Sequence, residues 1–525
     1  MTQTTITPTI TTMQPLSIGI QTFRKLIEGN YLYVDKTKNI YDLVKYPAGA
    51  YFLSRPRRFG KSLLISTLEE IFLGNKELFQ GLWIHGAEFP WKKHPVLRFD
   101  FSKQKAQTPK ALHEFLHNQI DMFAQSYSIQ LKTSHYYEKF EELIRKLAET
   151  EKVVILIDEY DKAIIDHLSN TELAIEMREI MKGFFTILKG NDGQIRFLLL
   201  TGVSKFSQAG VFSNLNHLAD ITLRDQYSSL LGITEEELLY SFAANLQQLE
   251  KKEQSSREEV IAKIRYWYNG YQFSPMGTPV YNPFSTLLLF DSQRFQHHWF
   301  STGTPSFLVD LILKNDYDII KVPLQVEEFT FSSYEVDDLS LTPLLVQTGY
   351  LTIKDYNEEF MYYTLDYPNF EVKQAFLNYL LKKIKSKELS SSFIIQLIQA
   401  IQNNDLDYCF SILREVFLNI DYDIQIPQEK YYQTIFYLIF TLLGFKIQTE
   451  VKTNKGRIDA VIESNSIYIF EFKFNGSKEE ALQQIKDKKY YEKYQAKNKT
   501  IFLIGAEFKD RNIGEYLVEE LGSVT

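Results

Sequence analysis

The chain has 525 residues, of which 44% are hydrophobic and 24% charged, and its formal net charge is -8 at pH 7. At about 150 residues per domain this length predicts several domains, and the composition is typical of a globular protein. The acidic balance argues against a protein that coats nucleic acid along its whole surface, although a local groove could still bind it.

Residues 1–14 are polar, with neither a basic start nor an apolar run, so we predict a disordered tail there. No apolar run elsewhere is long enough to span a bilayer, and we expect no membrane partner. The single cysteine, Cys409, excludes an intrachain disulfide and a cysteine-based zinc cluster. It favours a reducing, cytoplasmic setting.

Residues 15–230 alternate short apolar runs with amphipathic segments. The runs AYFL, VLRFDF, VVILID and IRFLLLTG are typical of strands that are buried on both faces of a parallel sheet. SLLISTLEEIFLG, between the first two, has the pattern of an amphipathic helix. This part of the chain is therefore predicted to be an α/β domain.

Within it, Gly60, Lys61 and Ser62 lie between a strand and a helix, which is the context of a phosphate-binding loop, or P-loop. In such a loop backbone N–H groups cradle phosphates, Lys61 reaches the β- and γ-oxygens and Ser62 ligates Mg²⁺. Alone, the tripeptide could equally be a chance helix start. Asp158 ends the run VVILID and Glu159 follows it directly. At this end of a strand an aspartate can hold Mg²⁺ and a glutamate can polarise water, so the two acids favour the nucleotide site.

Thr201 and two arginines are further candidates in this domain. Thr201 could sense the γ-phosphate, but Thr-Gly after a strand is also common in turns. Arg57 and Arg58 could stabilise phosphate charge in cis or in a neighbouring subunit, or could belong to a solvated basic loop. The predicted nucleotide-binding residues are Arg57, Arg58, Phe59, Gly60, Lys61, Ser62, Leu63, Asp158 and Thr201; Glu159 is predicted to be catalytic, and Ser62 and Asp158 to be metal ligands.

The rest of the chain divides into three parts. Residues 231–370 are helical and irregular with turn-rich aromatic pieces, and we predict a helical lid or connector. Residues 371–420 carry apolar residues at three-to-four spacing, which predicts a helical linker. Residues 421–525 give helix, strands, helix and strand, so we expect a second α/β domain there.

The second domain contains the hairpin sequence GRIDAVIESNSIYIFEFKF. With a three-residue turn at 464–466, Asp459 lies directly opposite Glu471, and Lys473 shares the face of Glu471. Paired carboxylates repel each other unless a cation offsets them, and Mg²⁺ accepts one or two carboxylates with several waters. Lys473 could then activate a water or neutralise charge on a phosphate oxygen. A solvated face of alternating acids and bases would explain Glu471 and Lys473 alone, but it explains Asp459 less well.

Motifs over nearly the whole chain after the tail resemble those of the AAA-ATPase-like family of bacterial proteins, which carry a C-terminal PD-(D/E)XK nuclease-like domain. They include YLYVDKT, RPRRFGKS, LIDEYDK, WYNGY, YNPFS, TGTPSFL, QTGYLTI, YPNFEV and EALQQIKDKKY. The resemblance implies an α/β fold in which a P-loop NTPase parallel sheet and a helical connector precede a restriction-endonuclease-like α/β domain at 421–525. Asp459, Glu471 and Lys473 match the spacing D-x11-E-x-K of these nucleases.

The same resemblance implies two outlying nuclease residues. Glu429 matches the first acidic motif, although an acid there also favours a helix start and Glu450 is a rival for the role. Gln484 matches the glutamine of the following helix, although it could be an ordinary polar helix residue. Arg55 stands where the usual P-loop has its first glycine, which predicts a stiffer and more cationic loop; the family has arginine there too.

Tyr490 and Tyr494, with Lys486, Lys488 and Lys489 nearby, predict a basic and aromatic helix that could meet a nucleic-acid backbone. A solvated amphipathic helix explains the same residues equally well. The two interpretations stay open at the level of sequence.

These patterns together predict an ATPase that uses ATP and Mg²⁺ and is joined to a metal-dependent nuclease. Nucleic acid is the expected partner, with DNA favoured over RNA, and a homo-oligomer is left open. One alternative is an ATP-dependent switch or remodeller whose C-terminal domain binds nucleic acid or protein without cutting. Another is a structural or signalling module in which ATP binding sets the oligomeric state.

Overall fold

The structure is a computed structural model, and it describes residues 13–206, 215, 217–299, 322–332, 334, 340–384, 392–418, 429–443, 446–453, 456–474, 476–509 and 512–521. The chain divides into two compact units. The first unit comprises Met1–Leu308 and Pro323–Val372, and the second comprises Val309–Val322 and Lys373–Thr525. The predicted disordered tail, 1–14, falls almost wholly outside the described residues.

The first unit is built on a parallel sheet with the strand order β2-β3-β4-β1-β5. Its elements are α1 (Phe23–Glu28), α2 (Thr37–Val44), β1 (Ala50–Ser54), α3 (Lys61–Phe72), β2 (Val96–Asp100), α4 (Pro109–Ser126), α5 (Tyr136–Ala148), β3 (Val153–Asp158), α6 (Lys162–Ile165), α7 (Thr171–Gly190), β4 (Ile195–Gly202) and β5 (Ala219–Asp220). Every residue of β3 is buried, which explains the continuous apolar run. The predicted parallel sheet is confirmed.

Local sequence signals set the ends of the long helices in this unit. Thr108 accepts a hydrogen bond from the backbone N–H of Ala111 and Pro109 follows it, so α4 begins there. Asn170 caps α7 in the same way through the N–H of Leu173. These helices flank the sheet and leave the carboxyl ends of its strands for the site.

The remainder of the first unit contains strands as well as the helices predicted for the connector at 231–370. Its elements are α8 (Glu235–Ser241), α9 (Ala243–Glu253), α10 (Arg257–Tyr268), α11 (Pro283–Ser292), β6 (Leu324–Val326), α12 (Phe329–Ser332), α13 (Leu341–Thr348), β7 (Thr352–Asn357) and β8 (Tyr362–Asp366). The three strands form an antiparallel sheet in the order β6-β8-β7. Ile353 of β7 and Leu365 of β8 are buried, but exposed or partly exposed polar residues such as Lys354 and Thr364 lie beside them. The apolar runs are therefore too short to stand out in the sequence.

The second unit is built on a mixed sheet with the strand order β13-β12-β11-β10-β9, in which only the β11–β12 pair is parallel. Helix α14 (Phe370–Ile384) begins in the first unit. The further elements are α15 (Ser392–Gln402), α16 (Leu406–Leu418), α17 (Glu429–Leu442), β9 (Lys446–Thr453), β10 (Gly456–Glu463), β11 (Ile467–Phe474), α18 (Lys478–Asp487), β12 (Ile501–Lys509) and β13 (Asn512–Leu521).

The segment predicted as a linker, 371–420, contributes to the core of the second unit. Phe410 of α16 stacks on Tyr516 of β13, with ring centroids 3.8 Å apart. The hydroxyl of Tyr468 on β11 donates to the carbonyl of Ile401 at 2.7 Å. Apolar residues at helical spacing in this segment therefore cover a sheet face, which the sequence pattern alone could not distinguish from pairing within a linker.

Both faces of this second sheet are covered. Phe470 and Phe472 of β11 pack against Phe436 of α17 at ring distances of 5.0 Å. On the other face, Tyr490 and Tyr494 are each 2% exposed and pack with Ile467, Ile469 and Ile485 in one apolar cluster. The interpretation of these tyrosines as part of a nucleic-acid-binding surface is therefore wrong, because their rings belong to the core.

Close packing places α18 directly on β12. A Cβ atom at Gly505 would lie 2.4 Å from the backbone nitrogen of Leu482 and from the carbonyl of Lys478, so only glycine permits this approach. Cys409 on α16 is 1% exposed, and its burial raises the pKa of the thiol to about 12. Among the described residues no helix combines the length and apolar character needed to cross a membrane.

Candidate functional site

The loop from β1 to α3 has the geometry of a phosphate-binding loop. Gly60 adopts a left-handed conformation with φ of 92° and lies at the start of α3, which leaves the first N–H groups of the helix for a ligand. The ammonium of Lys61 donates to the carbonyls of Arg55 and Pro56 at 2.9 Å each. Burial lowers the pKa of Lys61, while the nearby acids Asp158 and Glu159 act in the opposite direction.

The predicted acids lie at the carboxyl end of β3 and are held differently. Asp158 is 1% exposed and accepts a hydrogen bond of 2.8 Å from the hydroxyl of Thr201 on the neighbouring strand β4. Thr201 is itself fully buried, so the structure places its hydroxyl against the aspartate. Glu159 has a left-handed backbone with φ of 52°, and burial raises the pKa of its carboxyl group.

Asp161 is a residue of this site that sequence analysis missed. Its carboxylate accepts hydrogen bonds from the backbone N–H groups of Val203 at 2.9 Å and Ser204 at 2.6 Å, which ties the turn after β3 to the turn after β4. Burial raises the pKa of Asp161 to about 6. The signal available in the sequence was the second aspartate of Asp-Glu-Tyr-Asp, at positions 158–161.

A cavity of about 410 Å³ opens over the loop, and we call it the phosphate cavity. Its polar wall combines cations and acids from the P-loop and the turn after β3: Arg57, Arg58, Lys61, Ser62, Glu159 and Asp161. Its other wall contains Ile20 together with Pro283 and Leu287 of α11. The volume is within the range of small-molecule sites, and the walls suit a ligand with both charged and apolar parts.

A second cavity of about 110 Å³, the apolar cavity, adjoins the first. The two share five lining residues: Ser17, Gly60, Leu63, Pro283 and Leu287. The rest of the lining is mainly leucine, isoleucine, valine and phenylalanine, including the predicted residue Phe59. Sequence analysis did not predict this cavity, because its walls come from segments far apart in the chain.

Arg55 does not make the loop more cationic, as the sequence had predicted. It is 1% exposed, and its guanidinium donates to the carbonyls of Ser54 at 2.9 Å and Thr222 at 2.8 Å. The guanidinium also lies 4.1 Å from the ring centroid of Phe273. Burial lowers its pKa to about 9. Arg55 thus fixes the backbone behind the loop.

The second candidate site lies on the predicted hairpin. Ala460 pairs with Phe470 and Val461 with Ile469, which is the register expected from a three-residue turn. Asp459 lies just beyond the last of these pairs, and its carboxylate accepts a hydrogen bond of 2.8 Å from the backbone N–H of Phe472. Asp459 and Glu471 are therefore on adjacent strands at the same end of the hairpin.

Gln484 of α18 links the other two predicted residues of this site. Its amide nitrogen donates to Glu471 Oε1, and its amide oxygen accepts a hydrogen bond of 2.6 Å from Lys473 Nζ. The ammonium of Lys473 also lies 3.8 Å from Glu471 Oε1. The helix is oriented by a capping box in which Ser477 and Glu480 bond each other's backbone N–H groups. One amide therefore sets the positions of both an acid and a base.

The donor set of this site fits a hard cation with a hydrated shell. Over the described ranges, no group of three or more His, Cys, Asp or Glu side chains is arranged to hold a metal ion. Two carboxylates, Asp459 and Glu471, suit Mg²⁺ because it keeps several waters when bound to protein. Glu429 begins α17 and Glu450 lies on β9, but their side chains lie outside the described part of the chain.

Comparison with known proteins finds one family match within each of the two units. A family model described as a predicted AAA-ATPase matches residues 17–212, and one described as the PD-(D/E)XK nuclease superfamily matches residues 427–515. A protein of Azotobacter chroococcum mcd 1, named "Uncharacterized protein in vnfD 5'region", is 38% identical over 525 residues, covering 97% of this chain and 99% of that protein. The chain therefore belongs to the AAA-ATPase-like family and carries a PD-(D/E)XK nuclease superfamily domain in its C-terminal part.

Proposed function

We propose that the first unit binds and hydrolyses ATP at the phosphate cavity. Lys61 exchanges its two carbonyl partners for phosphate oxygens when the nucleotide arrives, while the N–H groups at the start of α3 hold the same phosphates. Ser62 and Asp158 would hold Mg²⁺, which neutralises phosphate charge when bound. Glu159 lines the cavity, where its carboxylate can orient the attacking water.

The nucleotide base belongs, in this proposal, in the apolar cavity beside Gly60 and Leu63. An apolar slot next to a phosphate site suits a purine ring. No aspartate or glutamate is among the described residues that line the slot. Guanine offers an N1–H and an amino group that a carboxylate would pair with, so adenine is the better match.

For the second unit we propose metal-dependent hydrolysis of nucleic-acid phosphodiester bonds. The observation that carries this proposal is Gln484, whose single amide bonds both Glu471 and Lys473. Asp459 and Glu471 would hold Mg²⁺, which polarises the scissile phosphate when bound. Lys473 then faces the reacting phosphate, where its ammonium can orient water or offset developing charge.

We also propose that the substrate is DNA and that ATP controls the second unit. A cytoplasmic location and a homo-oligomer are part of the same proposal. DNA is favoured by the resemblance of the hairpin to restriction-type nucleases, and the location by the single buried cysteine. Control by ATP is the simplest reason for one chain to contain both sites.

One observation favours a second candidate, a nucleotide-dependent switch that binds nucleic acid or protein without cutting it. Glu471 is only 2% exposed, so a metal and its substrate would have to reach a nearly covered carboxylate. In a domain that does not cut, the hydrogen bonds from Gln484 to Glu471 and from Lys473 to Gln484 would serve stability alone.

The experiment that separates the two candidates compares the wild type with Asp459→Asn on plasmid DNA, single-stranded DNA and matched RNA. Each substrate is incubated with Mg²⁺ or Mn²⁺, with and without ATP. Asparagine can still accept the hydrogen bond from Phe472 N–H, so the variant removes the charge and keeps the hairpin. Asp487→Asn, a change at an exposed residue of α18, is the matched control. Cleavage that Asp459→Asn alone abolishes supports the nuclease, whereas binding without cleavage in all three proteins supports the switch.

A further inference from the structure

A buried carboxylate outside both sites holds two elements that contact the P-loop. Glu371, in the first turn of α14, is 1% exposed. Its Oε1 accepts a hydrogen bond of 2.8 Å from the backbone N–H of Trp299, and its Oε2 accepts one of 2.8 Å from the hydroxyl of Ser285. The carboxylate therefore bridges the segment that contains Trp299 and the first turn of α11.

The first of these elements ends on the P-loop. The indole Nε1 of Trp299 donates to the carbonyl oxygen of Arg57 at 3.3 Å. Trp299 is 1% exposed, and its ring meets that of Tyr350 edge-on with centroids 5.3 Å apart. Because the indole is enclosed, its position follows from the backbone that Glu371 holds.

The second element reaches the neighbouring residue of the same loop. Ser285 belongs to the first turn of α11, which Asn282 caps by accepting from the N–H of Ser285. Phe284 of this turn lies 4.7 Å beneath the guanidinium of Arg58, and it lines the phosphate cavity together with Pro283. A shift of this turn would therefore move both a cavity wall and an arginine.

We propose that Glu371 is a positioning residue for the nucleotide site. Acting through Trp299 and through the first turn of α11, it fixes the positions of Arg57 and Arg58. It touches neither nucleotide nor metal. The inference rests on the proposed function, because it needs the phosphate cavity to bind ATP, and it goes beyond that function by assigning control of the loop to a residue more than three hundred positions away in the sequence.

The test measures ATP binding by calorimetry on the full chain, alongside the unfolding midpoint without nucleotide. Glu371→Ala loses the hydrogen bonds from Trp299 and Ser285, and we expect its ATP affinity to fall by about tenfold. In Glu371→Gln the amide can still pair with both Trp299 N–H and Ser285 Oγ, so we expect affinity within about threefold of the wild type. Rescue by glutamine shows that geometry, and not charge, is what the loop requires.

Trp299→Phe provides a second route in case the alanine variant does not fold. It removes the indole N–H that reaches Arg57 and leaves the backbone bond to Glu371, so we expect about threefold to fivefold weaker binding with an unchanged site for Mg²⁺. Wild-type ATP affinity in a folded Glu371→Ala, or in Trp299→Phe, would overturn the inference. A glutamine variant as weak as the alanine variant would also overturn it.

Lys61→Ala separates this failure from failure of the proposed function. If the wild type binds no ATP, or if Lys61→Ala binds it as tightly as the wild type, the assignment of the nucleotide site is wrong. The positioning role of Glu371 is then wrong as well. If the wild type binds and Lys61→Ala does not, the outcome for Glu371→Ala judges the positioning role alone.

Discussion

The hydroxyl of Thr201 donates a hydrogen bond of 2.8 Å to the carboxylate of Asp158, from one buried strand of the first sheet to the next. This bond orients a carboxylate that would ligate Mg²⁺ in the proposed ATPase. Partners of this kind matter because they fix the direction in which a ligand's oxygen points.

Thr201→Val should therefore lower Mg²⁺-dependent ATP hydrolysis by about 10-fold to 100-fold. Valine has nearly the same shape but no hydroxyl, so the sheet should stay intact. Steady-state hydrolysis measured over a range of Mg²⁺ concentrations is the readout. Thr201→Ser keeps the hydroxyl and should stay close to the wild type; equal loss in both variants would show that packing, and not the hydrogen bond, is responsible.

Lys61→Ala should abolish ATP binding, because the P-loop loses the ammonium that would bind the phosphate oxygens in place of its two carbonyl partners. Calorimetry with ATP and Mg²⁺ checks this directly. The matched control is Lys110→Ala, at an exposed residue of α4, which should bind ATP as the wild type does. Wild-type affinity for ATP in Lys61→Ala would contradict the assignment of this loop as a phosphate-binding loop.

Gln484→Ala should reduce Mg²⁺-dependent cleavage by at least about tenfold, because Glu471 and Lys473 lose the amide that holds both. Gln483→Ala changes the neighbouring, exposed glutamine, which bonds only within its helix to Asp487, and is expected to cut normally. Cleavage rates on one DNA substrate under identical metal concentrations give the comparison. Equal rates for the two variants would contradict the assigned role of Gln484.

The stability of the first unit should depend on pH through Glu371. Burial raises the pKa of this carboxyl group from 4.5 to about 7, so the folded state keeps a proton that the unfolded state releases. The stabilisation is complete below about pH 4.5 and is lost as the pH rises through about 7, by about 3 kcal/mol in total.

Urea unfolding followed by tryptophan fluorescence tests this dependence, since all four tryptophans belong to the first unit. Glu371→Gln cannot ionise, so the decline in stability between about pH 5 and pH 8 should become shallower. An unchanged slope in the variant would assign the pH dependence to other groups.

Much of the first sheet could be predicted because strands buried on both faces read as continuous apolar runs. The hairpin register could be predicted as well, since a three-residue turn fixes which residues pair, as Ala460 and Phe470 do. The side-chain orientation of Arg55 could not be predicted, because a guanidinium can donate equally well to phosphates or to backbone carbonyls.

The position of Tyr490 could not be predicted for a different reason. The sequence there looks like one continuous helix, but α18 ends at Asp487 and Lys489 takes a left-handed conformation with φ of 50°. The chain then continues as a 3₁₀ helix, Tyr490–Lys497, which turns the tyrosines inward. Gln484 was found only by resemblance, because its role depends on where the helix docks.

Tyr490→Ala should accordingly destabilise the second unit by about 3 kcal/mol, as truncation of a large buried aromatic does. Lys488→Ala, two residues earlier and exposed, should leave stability unchanged. Hydrogen exchange of the amides of β12 reports on this unit separately from the tryptophans. A variant of normal stability with reduced affinity for nucleic acid would restore the binding role of the tyrosine.

The burial of Cys409 has a practical consequence for measuring motion in this protein. Since the thiol is covered and its pKa is about 12, maleimide and similar reagents should leave it untouched at neutral pH. Cysteines introduced at exposed positions would then be the only residues that react, without any replacement of the native cysteine. Fluorescent or spin probes at chosen pairs of positions could thus follow each unit as nucleotide is added to the native sequence background.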